Sequence, residues 1–208
     1  MIEVTQQINA VRRKVAAREL AAGDGRVVSI SQVYDTDVDD LWNACTSPER
    51  LARWFAPVSG ELRVGGRYQL GGAAGDTSGQ IERCDPPKSF TVTWEYDGSV
   101  SWIEIRVTAI SQGGARFELE HTMLADDHWV KFGPGATGVG WDITLLNLAT
   151  YLARQAVQPE EEWAATEHGV HFMTQSSQQW AEASIAAGTN PAEARTQADL
   201  TTAFYLAN

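Results

Sequence analysis

This chain has few basic residues, few cysteines and no long apolar run, and each shortage excludes a class of protein. Among its 208 residues, Lys and Arg number 16 and Asp and Glu 27, which gives a net charge of −11. A surface of that sign repels phosphates, so we expect no nucleic-acid partner. No stretch approaches the roughly 20 apolar residues of a membrane span, and no basic, apolar secretion signal opens the chain. We therefore expect a cytoplasmic protein without a membrane span.

The two cysteines and four histidines form no motif typical of metal binding or nucleophilic catalysis. Cys45 and Cys84 lack metal-ligand spacing, and no histidine lies near them in sequence to activate a thiol. Reduced thiols are the usual state in the cytoplasm. His168 and His171 form a lone His-x-x-His pair, which is usually accidental. We expect neither a metal nor a cofactor.

Alternation of apolar and polar residues predicts a sheet in the middle of the chain. Phe90, Val92 and Trp94, for example, alternate with polar residues, as do Phe117 and Leu119 further on. Strands with one apolar and one polar face are typical of an antiparallel sheet that is covered on one side only. The predicted strands are 26–34, 61–64, 67–70, 80–84, 90–96, 102–110 and 116–122.

Helical periodicity and capping residues predict helices before and within this sheet. Apolar residues on one side and arginines on the other predict an amphipathic helix over Thr5–Leu20. Asp37 is a good N-cap for a short helix. A second short helix is predicted at Ser47, where a capping hydroxyl precedes Pro48 at the first helical position.

A glycine-rich loop at 133–140 leads into a longer helix, predicted over 138–155. Trp141, Leu145, Leu148 and Leu152 recur at i, i+4, i+7 and i+11, so they share one stripe of that helix. The loop satisfies G-x-G-x-x-G, but no βαβ unit surrounds it, so we expect no dinucleotide site. A stripe of this kind, laid across a curved sheet, either fills the concave face or leaves a pocket there.

The order of these elements indicates an α+β fold. We predict an N-terminal helix within 1–25, a central domain at 26–156 and a C-terminal helical extension at 157–208. The extension has an acidic start, a long helical pattern and a last helix capped before Pro191. We expect it to pack in trans or to form a homodimer rather than to be a second independent domain.

Several short motifs occur in the order and spacing of a known group of proteins. They are Pro48–Phe55, Val64–Tyr68, Cys84–Pro87, Thr93–Glu95, Leu119–Thr122, and Gly140–Trp141 with Leu145 and Leu148. In these the chain resembles the SRPBCC (START/Bet-v-1-like) superfamily and, within it, homologues of the C-terminal domain of the heat-shock-protein-90 ATPase activator. The resemblance covers about residues 27–155. It implies a helix-grip fold, in which a curved antiparallel sheet wraps around a long C-terminal helix, often with a lipophilic cavity between them.

Candidate ligand-binding residues are those that the pattern places between sheet and helix. Core packing is the default for each aromatic residue taken alone. For His121, a satisfied core histidine is the default, and a polar anchor or general base is the alternative. Glu82 either faces the cavity or, if the strand is shifted by one residue, faces solvent. The candidates are Trp54, Phe55, Tyr68, Glu82, Trp94, Phe117, Leu119, His121, Trp141, Leu145 and Leu148.

Three functions are compatible with these features. The first is a non-catalytic carrier or sensor of a small lipophilic or amphiphilic molecule, oriented by His121 and Glu82. The second is an enzyme of the polyketide-cyclase or hydrolase-like type that uses the same pocket, with His121 as base and Glu82 as its partner. The third is a co-chaperone-like or dimeric interaction module with a filled cavity. We expect the first.

Overall fold

Eight antiparallel strands form one sheet in the computed structural model, which describes residues 2–72, 77–111 and 113–207. Their order across the sheet is β1-β2-β8-β7-β6-β5-β4-β3. Because β2 pairs with β8, the second strand of the chain lies beside the last one, with Ile30 opposite Leu119. The strands are β1 Arg12–Leu20, β2 Gly23–Tyr34, β3 Val58–Gly60, β4 Arg67–Leu70, β5 Ser78–Asp85, β6 Ser89–Tyr96, β7 Ser99–Ala109 and β8 Ala115–Leu124.

The same described residues also form eight helices. None of them combines the length and the hydropathy that crossing a bilayer requires. They are α1 Val4–Ala10, α2 Val38–Thr46, α3 Pro48–Leu51, α4 Asp127–Phe132, α5 Gly135–Leu152, α6 Glu160–Ala164, α7 Glu167–Ala186 and α8 Pro191–Leu206. The α+β class and the helix-grip arrangement, with α5 as the long helix held by the sheet, are confirmed.

The predicted helix starts are confirmed by side-chain caps. Asp37 Oδ1 accepts the backbone N–H of Asp40 at 2.7 Å, which begins α2. Ser47 Oγ accepts the N–H of Arg50 at 3.4 Å, and Pro48 follows it at the first position of α3. Such caps pair backbone N–H groups that lack a partner within the helix. They fix where the α2–α3 segment begins, and this segment closes one end of the site described below.

The predicted N-terminal helix over Thr5–Leu20 is wrong beyond its first turns. Only α1 is helical, and β1 then pairs with the outer edge of β2, with Val15 opposite Val28. Val11 and Val15 are four residues apart, a spacing that keeps two side chains on one face in a helix and in a strand alike. The free edge of β2 decides between the two, because it offers a full ladder of backbone hydrogen bonds.

The predicted strand at 61–64 is also wrong, since the strand of this region is β3, and 61–66 is a loop. Gly60 has φ +111°, and a Cβ there would collide with the carbonyl oxygen of Arg67. This close approach requires glycine and ends the strand at residue 60. The other predicted strands are confirmed with small shifts of their ends.

Helix α5 lies between two layers, with the sheet on one side and α7 on the other. Leu145 and Leu148 on its stripe are fully buried. Gly138 lies so close to the indole of Trp180 on α7 that a Cβ would overlap that ring. The C-terminal extension therefore packs against its own chain. A homodimer formed through the extensions stays a prediction.

A buried carboxylate ties three elements together behind α5. Asp142 on α5 is fully buried, and Arg13 of β1 contacts it with Nε at 2.9 Å and Nη2 at 2.7 Å. Ser176 Oγ and Trp180 Nε1 of α7 both donate to the Oδ2 atom of Asp142. Such a bidentate pair with further donors satisfies a charge that would otherwise be costly to bury. The network fixes α7 and β1 against α5.

Candidate functional site

An apolar cavity of about 220 Å³ lies between the sheet and the first half of α5. The alternation of β6, β7 and β8 places every second side chain on this face, so Phe90, Ile105 and Leu119 lie side by side across three strands. The lining residues are Cys45, Thr46, Leu51, Trp54, Phe55, Val58, Leu62, Arg63, Val64, Tyr68, Leu70, Ile81, Cys84, Phe90, Val92, Trp94, Ile103, Ile105, Phe117, Leu119, Trp141 and Thr144.

Aromatic rings that follow α3 wall one end of the cavity. The indole Nε1 of Trp54 donates to the carbonyl oxygen of Ala44 at 3.0 Å, which fixes this ring against α2. Phe55 lies beside it, with ring centroids 5.8 Å apart, and Phe55 in turn is 6.5 Å from Trp94 of β6. Because only Ala52 and Arg53 separate Trp54 from the end of α3, the capped start of α3 positions both rings.

His121 is a satisfied core histidine, which confirms the default prediction for it. The indole Nε1 of Trp141 donates to His121 Nδ1 at 3.1 Å, and His121 Nε2 lies 2.8 Å from Ser101 Oγ. Because an indole N–H only donates, Nδ1 is the acceptor and the ring proton is on Nε2. Ser101 Oγ then donates to the carbonyl oxygen of Trp94 at 3.2 Å. Burial lowers the pKa of His121 to about 4, so the ring is neutral near pH 7.

His121 therefore supports the cavity wall but does not line the cavity. Its ring lies 5.8 Å from that of Trp141 and 6.4 Å from that of Trp94, and both indoles face the cavity. With both ring nitrogens in hydrogen bonds, His121 has no free atom with which to orient a ligand. It holds the Trp141 indole in place.

Glu82 does not face the cavity, so its prediction as an orienting group is wrong. A register shift in β5 leaves Ile81 opposite Val92 and Arg83 opposite Thr91, with Glu82 as the extra residue. Such a bulge reverses the alternation beyond it, and Ile81 and Cys84 both line the cavity as a result. Glu82 is exposed to solvent and is not a partner of His121. The predicted acid–base pair is not assembled.

Seven of the eleven predicted residues line the cavity. Leu145 and Leu148 do not, because α5 turns them into the core beyond the cavity's end, where both are fully buried. With Glu82 and His121 they make up the four that lie elsewhere. The seven lining residues are Trp54, Phe55, Tyr68, Trp94, Phe117, Leu119 and Trp141.

Fifteen of the 22 lining residues were not predicted, and they include two groups that differ in the signal they carried. Val92 shares its strand face with the predicted Trp94, and Ile105 lies opposite the predicted Leu119 on the neighbouring strand, so the same alternation could have identified them. Leu62, Arg63 and Val64 carried no such signal, because they belong to the loop that was predicted as a strand.

Each of the three hydroxyl groups on the cavity wall donates a hydrogen bond to a backbone carbonyl oxygen. Thr46 Oγ1 donates to the carbonyl of Trp42 at 2.8 Å, and Thr144 Oγ1 to that of Gly140 at 2.9 Å. The Tyr68 hydroxyl donates to the carbonyl of Thr93 at 2.7 Å. Burial raises the pKa of Cys45 to about 12, so its thiol stays protonated. The interior is therefore apolar, with a few acceptor lone pairs and no charge.

A second cavity of about 280 Å³ lies on the other side of α5, near its C-terminal end. Although it is larger, amides, hydroxyls and an imidazole make up much of its lining, including Asn147, Thr150, Gln155 and His168. It is a poorer match to the lipophilic ligand that the sequence predicts. Within the described part of the chain, no three metal-ligating side chains lie close enough together to hold an ion.

Comparison with known proteins places this site in a family. The model of the family described as "Activator of Hsp90 ATPase homolog 1-like protein" matches residues 35–153. The solution structure of CalU16 from Micromonospora echinospora has 33% sequence identity and a TM-score of 0.71, covering 86% of this chain and 97% of that one. The crystal structure of CalU16 has 33% identity and a TM-score of 0.65, covering 84% and 98%.

A third similar structure shares the fold alone. DynU16, a protein of the dynemicin biosynthetic locus, has 20% identity and a TM-score of 0.54, covering 61% of this chain and 47% of that one. No curated protein matches this chain in sequence. The resemblance that the motifs predicted is confirmed.

Proposed function

This chain belongs to the family of activator of Hsp90 ATPase homologue 1-like proteins, and from that premise we propose that it is a non-catalytic carrier or sensor of a small hydrophobic or amphiphilic molecule. The observation that carries this proposal is the apolar cavity between the sheet and α5. The helix-grip fold commonly binds hydrophobic ligands in the same position.

The size of the cavity supports a ligand of small-molecule dimensions. At about 220 Å³ it exceeds the roughly 150 Å³ of an engineered apolar cavity that stays dry and binds benzene. Burying about 300 Å² of ligand apolar surface would contribute roughly 7 kcal/mol before the costs of association. Without those costs this corresponds to a dissociation constant of roughly 10 µM, and association costs of about 4 kcal/mol or more would weaken it to the millimolar range, so we expect weak binding unless the ligand buries more apolar surface.

The chemistry of the lining supports binding rather than proton transfer. His121 is neutral and has both ring nitrogens in hydrogen bonds, and the Cys45 thiol is protonated. A general base or a nucleophile requires a group that can accept a proton or that is already ionised near the working pH. Neither residue meets that requirement.

Fluorescence titration with N-phenylnaphthylamine, a neutral apolar probe, tests the proposal. The probe should bind the wild-type protein measurably, with a dissociation constant between roughly 10 µM and the millimolar range, and Ile105→Trp should weaken binding at least tenfold by filling the cavity. Val100→Trp is the matched control, because Val100 lies on the same strand but is exposed and outside the lining. Equal affinity in all three proteins, or no binding to the wild type, would contradict the proposal.

A further inference from the structure

The mouth of the apolar cavity carries one charged side chain. Arg63 is the only charged residue among the described residues that line the cavity, in a chain whose net charge is −11. Its neighbours Leu62 and Val64 also line the cavity and are 43% and 52% exposed. The rim therefore presents a cation between two aliphatic side chains that are open to solvent.

Backbone hydrogen bonds hold this rim loop, residues 61–66, in place. The N–H of Gly65 donates to the carbonyl of Ile81 at 2.7 Å, and the N–H of Ile81 donates to the carbonyl of Gly66 at 3.0 Å. The N–H of Gly66 also donates to the carbonyl of Arg63 at 2.8 Å. These bonds fasten the loop to β5 just before its bulge, so Arg63 stays beside the opening.

The rim stabilises an acidic group better than the interior does, because the described residues of the interior offer it no charged partner. The hydroxyl protons of Thr46, Tyr68 and Thr144 are committed to backbone carbonyls. An anion drawn inside would meet acceptor lone pairs and apolar surface, and burying an unpaired charge is very costly. At the rim, the guanidinium of Arg63 offers several N–H donors and a geometry that matches a carboxylate.

Arg63 already has a carboxylate partner, but one that it can share or exchange. Its Nη2 lies 2.7 Å from Glu61 Oε2, and the two side chains are 72% and 66% exposed. Exposed pairs of this kind contribute little to stability, so a ligand can compete for the guanidinium. Glu61 also repels an incoming anion, so removing its charge should favour one.

We propose that the ligand of this cavity is an amphiphile with an acidic group, whose apolar part lies inside while its carboxylate binds Arg63 at the rim. This inference rests on the proposed function, since it concerns the same cavity. It adds the direction in which the ligand enters and the sign of its head group.

Octanoate and octanol, which share one hydrocarbon chain and differ in charge, test it by displacing N-phenylnaphthylamine at low ionic strength. Arg63→Gln should weaken octanoate roughly two- to fivefold, the range expected for one exposed ion pair, and leave octanol unchanged. Glu61→Gln should strengthen octanoate by a similar factor. Arg12→Gln is the charge-matched control, because Arg12 is exposed on β1 at the opposite edge of the sheet. Added sodium chloride should weaken octanoate selectively.

The outcomes separate the two proposals. If octanoate and octanol respond alike to Arg63→Gln, or octanoate fails to displace a probe that binds, the inference is overturned and the apolar site stands. If the probe does not bind the wild-type protein at all, both proposals are overturned. Equal loss of octanoate affinity in Arg63→Gln and Arg12→Gln would show a general effect of net charge and would also overturn the inference.

Discussion

Replacing Arg13 with leucine should destabilise the protein by about 3 kcal/mol, at the lower end of the range for breaking a buried ion pair. The Arg13 side chain is 4% exposed and that of Asp142 0%, so the substitution leaves a carboxylate in the core without its cation. Ser176 and Trp180 still donate to it, which is why the loss should fall at the lower end. The free energy of unfolding of most proteins is only about 5–15 kcal/mol, so this loss is large.

Urea unfolding followed by tryptophan fluorescence measures this effect. Arg18→Leu is the matched control, because Arg18 on the same strand pairs with Glu120 at 2.6 Å while its side chain is 46% exposed. Arg18→Leu should lower the free energy of unfolding by at most about 1 kcal/mol. The double substitution Arg13→Met with Asp142→Leu should recover much of the loss, since it removes both charges.

Two results would contradict the expected effect of the buried ion pair on stability. One is a cost for Arg13→Leu no larger than for Arg18→Leu, which would mean that the buried pair contributes no more than an exposed one. The other is a double variant that is less stable than Arg13→Leu. In that case the leucine–methionine pair would not replace the buried charges, and the contacts of Asp142 with α7 would matter more than its charge.

Two further predictions concern the wall of the cavity and the helix behind it. Burial lowers the pKa of His121 from 6.5 to about 4, so as the pH falls the unfolded chain binds a proton before the folded chain does. The free energy of unfolding should therefore decrease by about 3 kcal/mol between pH 6.5 and pH 4. His121→Gln, studied by urea unfolding at several pH values, should flatten that dependence; an unchanged slope would contradict the assignment. Gly138→Ala should destabilise by about 1–3 kcal/mol because a Cβ would overlap Trp180, although alanine favours helix elsewhere. Thermal unfolding measures the effect, with Gly140→Ala on the same helix as the control. A Gly138→Ala variant that is more stable than the wild type would show that α7 does not approach α5 so closely.

Sequence patterns predicted the parts of the fold in which one periodicity had a single interpretation. The alternation in β6 to β8 and the caps at Asp37 and Ser47 are of this kind, and they place most of the aromatic lining. Val11 and Val15 had two interpretations, because a spacing of four suits a helix and a strand. Only the free edge of β2 resolves that ambiguity, and it belongs to a distant part of the chain.

The wrong or missing predictions of cavity residues have local structural causes that are hard to recognise in the sequence. Ile81 faces the cavity, so Glu82 beside it lies in solvent, and the bulge that returns Cys84 to the cavity face has no glycine or proline to mark it. Arg63 lies in a loop whose place at the cavity mouth depends on bonds to β5. The docking of α7 depends on Asp142, which is the only charged residue of α5 and carries no other mark in the sequence.

We expect an apolar guest to lie between the sheet and α5, and intermolecular NOEs from bound N-phenylnaphthylamine would locate it there. We expect contacts from the probe to the methyl groups of Ile105 and Leu119, and none to Val100 on the outer surface. NOEs to Leu146 and Val157 instead would place the guest in the second cavity and contradict this account. A bound probe with no NOE to either set would contradict it as well.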